Sequence, residues 1–349
     1  MKKLYLAILF FPLFVYGVEP TGYYNTAVGK IDAALKTQLY AIVGTHDQRT
    51  YDNLWTDFQS TDKRTDGKVW DMYSNCNFTF GTNQDTGSGG SAECQYYNRE
   101  HSMPNSWFNK EYPMYSDLFH MYPTDKFVNN QRGNNPFGET TTPSKTFING
   151  SKLGNSTFAG YSGTVYEPID EYKGDFARTY FYMVTAYDNR VSSWVSDQLS
   201  GNQYPALSNW SIALFLKWNS QDPVSDKEKN RNEAVYGIQH NRNPFIDHPE
   251  LADYIWGTKK GTPWSLTAGI DQPKISFTIS PNPVRDMLYI ETQEPNLSYT
   301  IYNLSGETLQ KNLLNNNASV SVNDLKNGMY LIELSSGNSR TIQKFIVNK

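Results

Sequence analysis

The stretch "YYNREHSMPNSWF", residues 96–108, sets three adjacent ionisable residues, Arg99, Glu100 and His101, inside a run of aromatics. A packed core gains nothing from such a trio, because each group must be hydrated, paired or neutralised when water is removed. Two readings compete: a surface turn with its charges in water, and a reactive centre. If the trio closes a strand, His101 is available as a base, since neutral imidazole near pH 7 suits proton transfer, and Glu100 can turn toward a cation. A second cluster follows in "DLFHMYPTDKFVNNQRGNNPFGE", residues 117–139, which gathers His120, Asn129, Asn130, Arg132 and Asn134 in a span rich in amides and poor in aliphatics. Amide oxygens, carboxylates and water are hard-cation ligands, so Mg²⁺ or Ca²⁺ suits this cluster better than zinc, which demands more His or Cys.

Around these clusters, the 349-residue chain is long for one domain, and two are expected. Residues 1–17, "MKKLYLAILFFPLFVYG", carry a Lys2–Lys3 head, an apolar run and a small residue at the end, the pattern of a signal peptide too short to span a membrane. No later stretch is apolar enough to cross a bilayer. Losing the two leader lysines takes the net charge from −4 to −6, which excludes indiscriminate wrapping of a polyanion by a basic surface. Any nucleic-acid contact must therefore be local. Cys76 and Cys94 are the only cysteines, and in an exported chain a disulfide is favoured over a metal pair.

Apolar spacing predicts a packing helix over residues 29–43, stopped at Gly44, and buried aromatic helices over 175–187 and 208–219. Ser225 stands three residues before Glu228, the signature of a reciprocal helix cap. The aromatic and β-branched run from Asp66 to Phe80 predicts one or two short strands leading to Cys76. "DTGSGGSAE", residues 85–93, lacks the Lys-Ser/Thr ending of a phosphate loop and reads as a flexible loop closed by the disulfide. Helices are expected to dominate the first 260 residues. Of the remaining histidines, His46 reads as a loop residue, and His240 and His248 as capping or hydrogen-bonding groups. Arg99 and Arg178 can reach phosphate, but arginines beside aromatic helices more often pair with carboxylates.

"YNREHSMPNSW" followed by "DLFHMYPTDKFVNNQRGNNPFGE", with "NRNPFIDHPE" farther on, resembles the bacterial endonuclease I family of secreted nonspecific nucleases, of the ββα-metal (His-Me finger) superfamily. The likeness covers most of residues 20–258. It implies an α+β fold: a mainly helical nuclease domain carrying a ββα-metal finger, with His101 on the hairpin and Asn129 on the following helix. It implies His101 as general base and Glu100 and Asn129 as ligands of one divalent ion, Mg²⁺ or else Ca²⁺ or Mn²⁺. Asn130 rivals Asn129 as ligand. Arg132, whose planar fork can clamp a phosphate, is expected with His120, Asn130, Asn134 and Arg99 to bind phosphate or support the site. The implied reaction cuts DNA, with RNA open as a second substrate, and leaves 5′-phosphates. One departure stands out: where relatives read Asp-Leu-His-His or Asp-Leu-His-Asn, this chain has Asp117-Leu118-Phe119-His120.

After residue 274 the composition shifts to short alternating strands separated by Asn, Gly and Pro turns, the pattern of a small β-sandwich without His or Cys. "SPNPVRDMLYI", "IYNLSGETL", "LKNGMYLIEL" and "KFIVNK" resemble the type A sorting domain of the type IX secretion system. This implies an immunoglobulin-like export module over 275–349, a linker over 269–274, a catalytic domain over 18–268, and the secretion machinery as partner. The product is expected outside the cell or on its surface, as a monomer. The alternatives are a noncatalytic nucleic-acid-binding or adhesion protein, its site disrupted by Phe119, and an aromatic-rich carbohydrate binder.

Overall fold

A computed structural model of the chain describes residues 19–266, 277–292, 297–303, 306–314, 319–336 and 339–349. The expected signal peptide and the expected 269–274 linker lie outside them. The chain divides into two compact units after Leu266. The first is mainly helical with two small sheets, and the second is all β among the described residues. No helix among the described residues is long and apolar enough to cross a membrane.

The first unit is built around α4 (Lys173–Ala186), whose fourteen residues are all buried. A helix covered on every side needs apolar or paired side chains all round. Here Phe176, Phe181 and Val184 alternate with tyrosines whose hydroxyls find partners, and Arg178 forks onto Glu228. Against it pack α1 (Asp32–Val43), α5 (Asn209–Gln221) and α7 (Pro244–Asp247). Helix α6 (Asp226–Gln239) starts with the expected reciprocal Ser225–Glu228 cap. Alongside these lie α2 (Leu54–Thr61) and α8 (Leu251–Ile255).

One sheet is a hairpin. Strand β1 (Tyr97–His101) pairs antiparallel with β2 (Met121–Asp125), setting Glu100 opposite Tyr122 and His101 opposite Met121. Helix α3 (Lys126–Arg132) follows β2 directly, because the Asp125 carboxylate caps it by accepting the amides of Phe127 and Val128 at 2.8 and 3.1 Å. Gly133, at φ +58°, ends it in a conformation that suits glycine. Asp125 also accepts the Cys94 amide at 2.6 Å, so the Cys76–Cys94 disulfide and the start of α3 share one carboxylate. The glycine-rich segment is, as expected, a loop closed by that bond.

Two expectations are corrected. The 66–80 segment forms no strand, only a single bridge between Lys63 and Val69. Its Asp71 side chain captures the Tyr73 amide and the Ser74 hydroxyl, which turns the chain, while Met72, Tyr73 and Phe78 are buried as separate anchors. In the other direction, the sheet of β3 (Pro143–Thr146), β4 (Lys152–Asn155) and β5 (Thr164–Glu167) was not expected. Its signal was the Asn149-Gly150 pair between β3 and β4, where Gly150 takes φ +98°.

The disulfide gives the first prediction. Closing an 18-residue separation constrains the unfolded chain by about 3 kcal/mol in the loop-entropy model. Urea unfolding of the Cys76→Ser/Cys94→Ser variant should show that loss; a loss below about 1 kcal/mol would mean that Asp125 and the hydrophobic core hold the loop without the bond.

The second unit has a three-stranded sheet and a four-stranded sheet. In the first, β7 (Met287–Thr292) lies between β10 (Ser319–Ser321) and β6 (Phe277–Ser280). In the second the order is β12 (Ser339–Val347), β11 (Gly328–Ser336), β8 (Leu297–Tyr302) and β9 (Thr308–Leu314). Leu288, Ile290, Ile301, Ile332, Leu334 and Phe345 form one core, and their alternation along β7 and β11 is the period of half-buried strands.

Candidate active site

His101 and Glu100 end β1 with their side chains largely buried, 6% and 5% exposed, at the wall of a cleft of about 310 Å³. The cleft is also lined by Asn98 and Arg99 of β1, Asn105, Asn129 and Asn130 of α3, and Asn134 just beyond it. The hairpin and the helix are tied across its floor by Asn129, whose Nδ2 donates to Asn98 Oδ1 at 2.8 Å. Residues about thirty positions apart therefore converge because α3 folds back on β1.

The His101 ring is held at both nitrogens. Nε2 lies 3.0 Å from the Tyr115 carbonyl oxygen. A carbonyl only accepts, so Nε2 carries the proton and Nδ1 is the acceptor. Nδ1 lies 3.3 Å from Nδ2 of Asn105, which also lines the cleft. Burial, then the neighbouring His120, pushes the imidazole down to about 3, against the raising pull of the Tyr115 carbonyl, so the ring is neutral at physiological pH. Tyr51 stacks on it at 5.7 Å and Tyr115 lies 4.8 Å away.

Glu100 is half engaged. Its Oε1 accepts the Tyr73 hydroxyl at 2.8 Å and a hydrogen bond from Arg132 Nη1. Burial raises the carboxyl above its ordinary range, while the Arg132 charge and the Tyr73 hydroxyl hold it down. No side-chain hydrogen bond reaches Oε2 among the described residues, and the same is true of the Asn129 amide oxygen, since Asn129 donates through its nitrogen. One carboxylate oxygen and one amide oxygen thus stay available in the same cleft, a donor set that fits a hard divalent cation completed by water. The acid and thiol cluster Cys76, Cys94 and Asp125 is the one group of three such residues with ligand spacing among the described residues, and its sulfurs are joined to each other.

Asn130 and Asn134 are exposed at the cleft edge, and Arg99 lies there with its guanidinium over the Tyr51 ring and bonded to the Tyr51 carbonyl at 2.7 Å. Arg132 is different: it is fully buried and does not line the cleft. It bonds Glu100, Tyr73 Oη at 3.0 Å, the His101 and Ser102 carbonyls at 3.2 and 2.8 Å, and the Asn135 carbonyl at 3.2 Å. That placement makes it a support beneath β1, out of reach of a phosphate. His120 is also fully buried, donating through Nε2 to the Met114 carbonyl at 2.6 Å, 5.5 Å behind the His101 ring. Phe119 packs on Tyr182 in the core and does not touch the cleft, which removes the ground for a site disrupted by that residue.

Tyr73, Asn98, Asn105 and Tyr115 were missed from the sequence. Tyr73 lies 27 positions from its partner Glu100, and no spacing rule links them. Asn105, four positions after His101, stood in plain view as an amide beside a candidate base.

The other histidines lie elsewhere. His46 sits in the interior, 3.7 Å from Asp117. His240 ends α6 and pairs with Asp47 at the surface. His248 lies 2.7 Å from Glu19 and 3.4 Å from Glu250; burial opposes its charge, but the two carboxylates push it up to about 9. A pKa raised above the ordinary 6.5 contributes stability that is whole below about pH 6.5 and is lost as pH rises through 9, at most about 3 kcal/mol. Thermal unfolding of wild type and His248→Gln should therefore differ at pH 6 and converge near pH 10. A difference independent of pH would show that charge on His248 is not what clasps residue 19 to this region.

Residues 32–250 match the Endonuclease I family, and residues 278–348 match the secretion-system C-terminal sorting domain. An extracellular ribonuclease of Bacillus amyloliquefaciens is 37% identical over 242 residues, 67% of this chain and 78% of that protein. The extracellular ribonuclease of Bacillus subtilis is 35% identical over 242 residues, with the same coverage, 67% and 78%. Endonuclease-1 of Buchnera aphidicola is 28% identical over 131 residues, 38% of this chain and 46% of its own. The sorting domain marks the protein as secreted or held at the cell surface.

Proposed function

The chain belongs to the endonuclease I family, and from that premise we propose that it is a divalent-metal-dependent endonuclease acting on DNA, with RNA open as a second substrate, and with little sequence preference. The observation that carries this reading is the pairing, in one cleft, of a neutral His101 whose Nδ1 is the acceptor with two oxygens, on Glu100 and Asn129, free to hold a cation. The β1–β2 hairpin and α3 are read as a ββα-metal finger, and the second unit as an immunoglobulin-like sorting sandwich engaged by the type IX machinery. The domains are taken as 18–268 and 275–349, after removal of a signal peptide.

Glu100 and Asn129 would hold the ion, with Asn130 beside them at the edge of the cleft. When bound, it supplies positive charge that offsets the build-up on the phosphate and on the leaving 3′ oxygen, worth several kcal/mol. The protein does the rest. His101 takes a proton at Nδ1 from a water that displaces the Asn105 amide from that nitrogen, and the Tyr115 carbonyl keeps Nε2 protonated and steadies the imidazolium that forms. Asn105 fixes the ring's orientation. Arg132 and Tyr73 hold Glu100 so that one oxygen stays turned from them. Arg99 and the exposed amides of Asn130 and Asn134 meet sugar and phosphate, which carry no base identity and so give little sequence preference. Water attack in this sense leaves a 5′-phosphate on the product.

The full chain should nick and linearise supercoiled plasmid and degrade RNA in Mg²⁺, stop in EDTA, and give ends that a phosphatase can open for 5′ relabelling. Cleavage undiminished in EDTA, or ends carrying 3′-phosphate, would refute the metal-assisted water mechanism.

A further inference from the structure

From the cleft wall at Tyr51 and His101, a row of aromatic rings that the hydrolytic reading leaves unused leads out to the surface. Tyr51, in the cleft wall, carries the Arg99 guanidinium 3.6 Å above its ring and stands 4.7 Å from Tyr115. Tyr115 lies 4.8 Å from the His101 ring and 5.4 Å from Tyr112. Tyr112 ends the row with 42% of its surface in water, among the most exposed large side chains of the unit. Next to it in sequence, past Glu111, the exposed Lys110 forms no ion pair among the described residues, and its charge is felt at the His101 imidazole. The row thus runs from the reactive ring outward, flanked by Lys110 and by Arg99, which pairs with the exposed Asp52 at 3.1 Å, on a chain whose net charge is negative.

An exposed ring at the end of such a row adds little to the core, but it offers a flat apolar face to solvent two ring contacts from His101. Base stacking on an aromatic side chain is worth about 1–3 kcal/mol per base and tolerates any base, because every base has a π-face. Only an unpaired base has that face free; in a duplex its neighbours cover it. With two ring-to-ring steps of 4.8 and 5.4 Å, Tyr112 is within reach of the nucleotide beside a phosphate held at His101. We propose that Tyr112, supported by Tyr115 and Tyr51, is a stacking platform that seats an unpaired base next to the scissile phosphate, so that single-stranded nucleic acid is the favoured substrate. This inference rests on the nuclease reading of the cleft and names the strand state it prefers. Arg99 and Lys110 would meet the flanking phosphates and make that preference sensitive to salt.

The test uses the full chain, with one oligonucleotide sequence presented single-stranded and as a duplex, and bis(p-nitrophenyl) phosphate as a diester without bases. Wild type should favour the single strand. Tyr112→Ala should lower kcat/KM on it about tenfold or more, leave the base-free diester within about twofold, and be rescued by Tyr112→Phe, which keeps the ring. Equal losses on the base-free diester, no loss on the single strand, or failure of the Phe variant to rescue would overturn the platform. Fluorescence of a 2-aminopurine single strand bound to His101→Ala separates this inference from its premise. Quenching that disappears when Tyr112→Ala is added supports stacking even if wild type cuts nothing, whereas equal quenching in both proteins overturns it.

Discussion

His101→Ala should cut nucleic acid about 10²- to 10⁴-fold more slowly than wild type, at equal folded concentration and saturating Mg²⁺, because proton transfer by a positioned side chain contributes that much. In the proposed mechanism the effect should fall on kcat, since the ring would take up the proton only as water attacks, while Arg99 and the amides of the cleft edge would hold the substrate. His101→Gln sharpens the test: it keeps a polar side chain of similar reach but no group that takes up a proton near neutral pH, and should be as slow as the alanine variant. Gel-resolved initial rates check both. If either variant retains more than about a tenth of the wild-type rate, the base lies elsewhere. His120 is then a poor substitute, since it is fully buried and its Nε2 is spent on the Met114 carbonyl.

Arg132→Ala should destabilise the first unit by about 3–5 kcal/mol, the range for removing one partner of a buried ion pair. The loss is large because it is shared. Glu100 would be left in a buried setting without the charge that offsets its burial, and the His101 and Ser102 carbonyls would lose their donor at the end of β1. Arg132→Lys should recover little, since an ammonium is a point donor and the site uses three guanidinium nitrogens in different directions. Urea unfolding followed by tryptophan fluorescence measures the effect. A loss under about 1 kcal/mol would show that Tyr73 alone keeps Glu100 in place.

The parts of the fold that could be read from sequence are those held by local rules. Helix α1 shows its apolar spacing, α6 its Ser225–Glu228 cap, and the strands of the second unit their alternation. The 66–80 segment misled because aromatic content was taken for a strand, while its backbone is organised by Asp71 and its rings are drawn singly into the core. His101, Glu100 and Asn129 fall in two short polar blocks that stand out in the sequence, and the structure brings those blocks together in one cleft. For Arg132, in the same block, the sequence leaves phosphate binding and support of the site both open, and the structure places it as a support beneath β1. Sequence shows that a guanidinium is near the site, but whether it faces water or the back of β1 depends on how α3 docks, which no local pattern records. Tyr73 and Tyr115 were invisible for the same reason: each acts through a long-range hydrogen bond or a carbonyl.

The most direct test of the account is Mn²⁺ binding to the full chain, followed by the loss of free-ion electron paramagnetic resonance signal and run beside Mn²⁺-supported cleavage at the same concentrations. One ion per chain should bind in the cleft, cleavage should rise with its occupancy, and Glu100→Gln and Asn129→Ala should each weaken binding about tenfold or more and slow cleavage in step. Unchanged binding in both variants, or full cleavage with the cleft ion absent, would contradict the claim that this cleft is where the protein cuts nucleic acid.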